Sequence, residues 1–163
     1  MFPEVIESIS NRNILAIIGE DEVIQHKDFL GSQEETVWIS ICDLNREHVK
    51  IENNFDDILK MKFMDIENGW TKTLVPISKE QGQEIKSFIL KNKNKRFLIN
   101  CQAGQSRSAA IGLAVEFLLG DFEKWSHFTS SILKHERYFP NYYVLSSILG
   151  FEVKNPSEEE NIK

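Results

Sequence analysis

The chain has few cysteines, no long apolar run and no excess of basic residues, and each absence excludes a class of protein. Two cysteines among 163 residues are too few for a disulfide scaffold, and they suit a reducing compartment. The most apolar window, 109–120, is too short to cross a bilayer and contains Glu116. A formal charge of −6 disfavours nonspecific binding to nucleic acid. Because the N-terminal residues, with Glu4 and Glu7, do not resemble a signal peptide, we expect a soluble cytoplasmic protein.

Short β-like runs alternate with amphipathic helical stretches along most of the chain. This alternation predicts one α/β domain over 1–151, with a mainly parallel central sheet flanked by helices, and a disordered acidic tail over 152–163. Ligands of such sheets bind beyond the carboxyl ends of the strands. The β-like runs are 13–18, 36–41, 58–63 and 96–100, and the helical stretches are 20–30, 122–132, 142–149 and the runs that begin at 78 and near 107.

The helix signal that begins at Ser78 is specific in its details. Gln81 follows Ser78 by three positions, which is the spacing of a capping box at a helix N-terminus. Ile85, Phe88 and Ile89 then recur at helical spacing and predict the face that points to the core.

The segment from Cys101 to Ser108 carries the chemistry of this sequence. Five residues separate Cys101 from Arg107, and the segment lies between an apolar strand-like run and a helix-like run. A strand, a tight loop and a helix start in this order can aim several backbone N–H groups at one point, which makes an anion site. The field that holds a phosphate also favours a thiolate, so we expect Cys101 to be a nucleophile inside a phosphate pocket.

Each residue type in this loop has a role that its chemistry permits. Arg107 offers a planar fork for two phosphate oxygens, which lysine cannot reproduce. Gly104 suits a loop that takes an unusual φ close to a ligand. The Ser108 hydroxyl either stabilises the cysteine sulfur as a leaving group or satisfies an N–H of the helix. The expected phosphate-binding residues are Gln102, Ala103, Gly104, Gln105, Ser106 and Arg107.

An acid for the leaving oxygen must come from another loop. Asp65 follows the third predicted strand, so it should lie at the same sheet edge as the cysteine loop. The turn at 68–70 could let its loop close over a substrate. Asp43 and Glu67 compete with Asp65 for this role.

These residues resemble the cysteine, five residues, arginine, then serine or threonine signature of protein tyrosine phosphatases. The aspartate loop precedes the cysteine loop, as in the dual-specificity branch, and segments 38–43, 63–65 and 137–141 extend the likeness. The chain looks most similar to small phosphatase-like proteins of bacteria and phages. The resemblance implies hydrolysis of phosphotyrosine or phosphoserine/threonine proteins through a phosphocysteine, without metal or cofactor. It also aligns Asp65 with the acid loop of that family.

The sequence departs from the family where histidine normally precedes the cysteine. Here the residue is Asn100, which can hydrogen-bond loop carbonyls and orient the loop but carries no charge. Weak activity would therefore be unsurprising, and a phosphate-binding module with little turnover remains an alternative. A phosphatase of nucleotides, RNA 5′ ends or phosphoinositides on the same fold is another.

The remaining candidate residues are Cys42, Trp70, Lys72 and the histidines. Cys42 ends the strand beside the cysteine loop, where it either forms a reversible disulfide with Cys101 or packs as a small buried side chain. Trp70 could stack on a substrate ring, and Lys72 could meet an anionic substrate. The histidines, which are His26, His48, His127 and His135, show no metal-ligand spacing.

Overall fold

The computed structural model describes residues 8–51, 55–66, 75–120 and 122–155. The predictions for Glu67, Trp70, Lys72 and the part of the tail from 156 onward fall outside these residues. Among the helices that are described, none is long and apolar enough to cross a membrane. In chain order the elements are β1 (Ile14–Gly19), α1 (Glu20–Gln25), α2 (Lys27–Gly31), β2 (Thr36–Cys42), β3 (Asp57–Lys62), α3 (Lys79–Lys91), β4 (Arg96–Cys101), α4 (Arg107–Leu119), α5 (Phe122–Lys134) and α6 (Tyr142–Leu149).

The four strands form a parallel sheet in the order β1-β4-β2-β3, which confirms the predicted α/β class. Every residue of β1 and β2 is buried, as expected for parallel strands that are covered on both faces. The prediction was of a mainly parallel sheet, and every pairing between the described strands is parallel. Strand β4, which ends at Cys101, therefore lies inside the sheet between β1 and β2.

The two faces of the sheet pack against different layers. The larger core contains Phe97, Ile99 and Cys101 of β4 together with apolar residues of α3, α4, α5 and α6. The smaller core, which contains Leu98 of β4, also takes residues of α1 and α2. Because side chains alternate along a strand, the polar side chain of Asn100 lies on the side of the smaller core.

The helix predicted over 20–30 is two helices, so that prediction was wrong. The backbone leaves the helical region at His26, with φ −114° and ψ 23°, and α2 begins at the next residue. The break changes the direction of the chain while Val23 and Leu30 both stay buried in the smaller core. Tertiary packing of two short helices thus outweighs the continuous helical signal.

The helix that begins after Ser78 has the predicted start and the predicted buried face. The Gln81 N–H donates to Ser78 Oγ at 3.1 Å, and the Ser78 N–H donates to Gln81 Oε1 at 2.9 Å. Ile85, Phe88 and Ile89 are all buried in the larger core, as their spacing indicated. The capping box and the apolar stripe are therefore confirmed.

Candidate active site

The cysteine loop leaves the carboxyl end of β4 and enters α4 at Arg107. Gly104 has φ +71°, the left-handed conformation that glycine adopts without steric cost and that the sequence predicted for this loop. A Cβ at Gly104 would lie 2.3 Å from the backbone nitrogen of Gly19, and a Cβ at Gly19 would lie 2.9 Å from the carbonyl of Ala103. Two glycines thus allow the loop to pack backbone to backbone against the end of β1.

The Cys101 thiol lies inside this loop with two polar neighbours. Its Sγ is 3.1 Å from Ser108 Oγ, and the Gly104 N–H donates to Sγ at 3.3 Å. Among the described residues, the Gly104 bond is the one hydrogen bond donated by the backbone N–H groups of 102–106. The other loop N–H groups therefore remain available to an anion.

Arg107 is 4 % exposed and is fixed by two acceptors from neighbouring strand ends. Its Nη1 donates to Asp43 Oδ1 at 2.8 Å and to the Phe63 carbonyl at 2.7 Å. Its Nε is buried and has no hydrogen-bond partner among the described residues. A buried guanidinium N–H without an acceptor is costly, so this edge of Arg107 suits an oxyanion in the cleft. Asp43, one competitor for the acid role, is engaged with Arg107.

These side chains line one cleft of about 470 Å³. Cys101, Arg107 and Asp65 all belong to its wall, so the structure brings together three residues that the sequence assigned to different roles. The remaining lining residues are Asp43, Met64, Ile66, Gln102, Ala103, Gln105 and Ser106. Asp65 is exposed, whereas Cys101 and Arg107 are buried.

Asp65 is held beside the cysteine loop by two donors. Its Oδ1 accepts from Ser106 Oγ at 2.9 Å and from Asn141 Nδ2 at 2.7 Å. Asn141 Nδ2 also donates to the Ile66 carbonyl at 3.1 Å, which fixes the next peptide of the acid loop. The structure thus connects the acid loop to the cysteine loop through Asn141 and Ser106.

Asn141 also caps a helix, so a substitution that tests its contact with Asp65 must keep this cap. Its Oδ1 accepts the Val144 N–H at 3.0 Å, which makes Asn141 the N-cap of α6. We expect Asn141→Ser to keep a capping oxygen but lose the amide that reaches Asp65. If Asp65 is the general acid of a phosphatase, turnover of an alkyl phosphate should fall about tenfold while the thermal unfolding midpoint changes little, because one contact that positions Asp65 is removed. Steady-state kinetics and thermal denaturation check this, and an unchanged kcat would contradict it.

The segment 137–141 forms hydrogen bonds with the backbone carbonyls of the cysteine loop. The Phe139 N–H donates to the Gln105 carbonyl at 2.8 Å, and the Asn141 N–H donates to the Ser106 carbonyl at 3.2 Å. Arg137 donates to the Gly104 carbonyl at 3.3 Å and forms an ion pair with Glu22 of α1. Burial alone would lower the pKa of Arg137, but the hydrogen bond and charge of Glu22 outweigh it and raise that pKa.

Asn100 and Cys42 lie behind the loop, on the side of the smaller core. Asn100 Oδ1 accepts from Trp38 Nε1 at 2.8 Å, and its Nδ2 donates to the Cys101 carbonyl at 3.3 Å, as predicted for a loop-orienting amide. Cys42 is free, and its thiol faces the Arg46 carbonyl at 3.6 Å. Burial raises the pKa of the Cys42 thiol. This arrangement fits a packed cysteine better than a partner for Cys101, because Ile41 and Cys101 share the opposite face.

Comparison with solved structures finds the same architecture in several phosphatases. The Cydia Pomonella PTP-2 phosphatase superposes with a TM-score of 0.59 at 17% identity, covering 88% of either chain. Tk-PTP in its active form gives a TM-score of 0.55 at 17% identity over 93% of this chain and 98% of that one. Human DUSP28 gives 0.51 at 11% identity over 91% and 90%. The chain has a phosphatase fold. No protein-family model and no curated protein matches the sequence.

Sequence reasoning missed several residues that shape the site of this phosphatase fold. Segment 137–141 was noted as part of the family likeness, but the contact of Asn141 with Asp65 was not predicted. The ion pair of Arg137 with Glu22 was not predicted either, because the two residues are 115 positions apart and meet through the fold. The pairing of Asp43 with Arg107 follows from the order of the strands, which the sequence did not provide.

Proposed function

We propose that the protein is a cysteine-dependent phosphatase that hydrolyses phosphate monoesters, with phosphotyrosine and phosphoserine/threonine proteins as its substrate class. The observation that carries the proposal is the buried Nε of Arg107, which has no acceptor among the described residues, in a residue that lines the same cleft as Cys101. A phosphoryl group in this cleft would supply the missing acceptor and stand in front of the sulfur.

In the first step, the Cys101 thiolate attacks phosphorus and forms a sulfur–phosphorus bond. The bond from phosphorus to the leaving oxygen breaks, and Asp65 donates its proton to that oxygen. Arg107 and the loop N–H groups hold the three remaining phosphoryl oxygens, where negative charge is spread in the transition state. The cationic stabilisation therefore comes from a side chain that Asp43 and the Phe63 carbonyl already hold in place.

In the second step, water attacks the phosphocysteine and inorganic phosphate leaves. Asp65, now a carboxylate, takes the proton of the attacking water, and the sulfur–phosphorus bond breaks to regenerate the thiolate. Ser108 Oγ, 3.1 Å from the sulfur, donates a hydrogen bond that stabilises the departing thiolate. Asp65 thus acts as acid in one step and as base in the other, which its position on the cleft wall allows.

The acid assignment predicts a dependence on the leaving group. With a metal chelator present, Asp65→Asn should lower kcat on phenyl phosphate about 100-fold, because phenolate needs a proton to leave. On a nitrophenyl ester, whose leaving group is far more acidic, the loss should be about tenfold or less. Asp28→Asn, at an exposed position on α2, is the matched control and should change neither rate. Equal losses on both esters would remove Asp65 from this role.

Asn100 favours one second candidate, a phosphate-binding module with little turnover. Its side chain bonds Trp38 and the Cys101 carbonyl but brings no positive charge toward the sulfur. A cleft that holds an oxyanion without attacking it would bind phosphorylated partners and release them unchanged. Replacement of Cys101 with serine separates the two functions, because turnover requires the sulfur and binding does not.

A further inference from the structure

A second guanidinium, that of Arg46, follows the carboxyl end of β2, the strand next to β4. Arg46 Nη2 forms an ion pair with Glu20 Oε2 at 2.7 Å. The Glu20 side chain is 8% exposed, whereas that of Arg46 is 45% exposed. A buried carboxylate thus holds a surface guanidinium in one place.

This ion pair joins the two segments that follow the strands on either side of β4. Glu20 follows β1 and Arg46 follows β2, and β4 runs between these two strands. The Glu20 N–H donates to the Gln102 carbonyl at 3.0 Å, and the Arg46 N–H donates to the Asp43 carbonyl at 3.1 Å. Gln102 and Asp43 both line the candidate active-site cleft, so the backbones of both partners of the ion pair are hydrogen-bonded to residues of its wall.

The Arg46 guanidinium keeps donors for another partner. Within the described part of the chain, its one hydrogen-bonded partner is Glu20, which occupies a single nitrogen. Glu20 Oε1 is buried without a partner among the same residues, so Arg46 is the group that compensates the Glu20 charge. The remaining N–H groups of a planar, fixed guanidinium match the oxygens of a carboxylate or phosphate.

Two lysines of β3, Lys60 and Lys62, supply positive charge that no described carboxylate neutralises in an ion pair. Met61 packs into the larger core, so Lys60 and Lys62 point to the other face, the one that carries Asn100 and Glu20. Lys62 is paired in register with Cys42, one residue before Asp43, and neither lysine forms an ion pair with a described carboxylate. Burial lowers the pKa of nearby His48, and the charges of Lys60 and Lys62 lower it further.

We propose that Arg46 and Lys62 form a second anion subsite beside the phosphate pocket. It selects phosphate esters that carry another negative group, a carboxylate or a second phosphate, next to the phosphate that is cleaved. The inference rests on the proposed function, since it deepens the substrate class of the same cleft. Because Glu20 neutralises Arg46, the net positive charge of this surface comes from Lys60 and Lys62, on a chain of formal charge −6.

The test compares three phosphotyrosine peptides that differ beside the phosphotyrosine: one has alanines, one has aspartates and one has a phosphothreonine. The wild-type protein should show the higher kcat/KM on one or both charged peptides, and the charged peptide that is preferred identifies the source of the anion. Lys62→Gln should lower the ratio of charged to alanine peptide about threefold, as expected for one exposed ion pair. The combined Glu20→Gln and Arg46→Gln change, which leaves no buried charge unpaired, should lower it about tenfold. Lys93→Gln, beyond the end of α3, is the matched control and should leave the ratio unchanged.

The same peptides are also titrated against the Cys101→Ser protein, so that binding is measured independently of turnover. A charged-peptide preference in binding that Lys62→Gln reduces supports the subsite even if the protein turns over no ester, in which case the phosphatase proposal fails alone. If wild-type protein turns over the alanine peptide but the ratio is the same in all variants, the subsite is overturned and the phosphatase proposal stands. Equal binding of the three peptides by the Cys101→Ser protein likewise overturns the subsite.

Discussion

Replacing Cys101 with serine is expected to lower turnover of an aryl phosphate about 10⁴-fold or more, close to the uncatalysed background. Among the described residues, none of the groups that contact Sγ is a general base for a serine hydroxyl at this position. The residues that contact Sγ are a hydroxyl, Ser108, and a backbone N–H, Gly104, both of which donate to an anion rather than accept a proton from an alcohol.

The same variant should keep its affinity for an oxyanion. Arg107 and the loop N–H groups do not depend on sulfur for their positions, because Asp43, the Phe63 carbonyl and the packing of Gly104 on Gly19 hold them. Equilibrium titration with a phosphopeptide should therefore show binding by Cys101→Ser within a few-fold of wild type. Loss of binding together with turnover would mean that the substitution disturbed the loop.

Cys42→Ser is the matched control for this experiment. Cys42 is the other cysteine of the chain, and its thiol lies behind the loop against the Arg46 carbonyl. We expect this variant to keep its turnover, because the thiol does not line the cleft. The proposal of an enzyme would be contradicted if wild-type protein bound the phosphopeptide but released phosphate no faster than Cys101→Ser does. That result would support the phosphate-binding module.

The parts of the site that the sequence predicted are those with short-range signals. Cys101, Gly104 and Arg107 lie within one loop between a strand and a helix, so their proximity follows from the local geometry of that unit. The position of Asp65 near this loop could be predicted for a similar reason. The carboxyl ends of parallel strands meet at one edge of the sheet, so the loops after β3 and β4 lie on the same side. Ser78 and Gln81 needed no tertiary information at all.

The parts that escaped prediction depend on contacts between distant segments. Trp38 and Asn100 are 62 positions apart, and their hydrogen bond exists because β2 and β4 are neighbours in the sheet. Asn141 reaches Asp65 across 76 positions. The local sequence pattern predicted one continuous helix over 20–30. The structure has two short helices there, which bury both Val23 and Leu30 in the smaller core. Sequence periodicity contains no information about these neighbours.

Replacing Arg107 with lysine is expected to lower kcat/KM about 10³-fold, although the charge is kept. The arginine uses Nη1 to hold Asp43 Oδ1 and the Phe63 carbonyl, and its buried Nε faces no acceptor among the described residues. One guanidinium thus anchors itself and still has N–H groups for a phosphoryl oxygen. A lysine ammonium is a single point on a flexible stem, so it can pair with Asp43 or meet the phosphate, but it cannot do both in fixed positions.

This prediction separates a geometric requirement from a simple need for positive charge. Arg12→Lys, an exposed arginine near the start of β1, is the control and should leave kcat/KM unchanged. Thermal unfolding of Arg107→Lys should show a folded protein, since Asp43 keeps a cationic partner. Retention of kcat/KM within about tenfold would show that charge alone suffices, and the Nε of Arg107 would then not be the group that meets the phosphate.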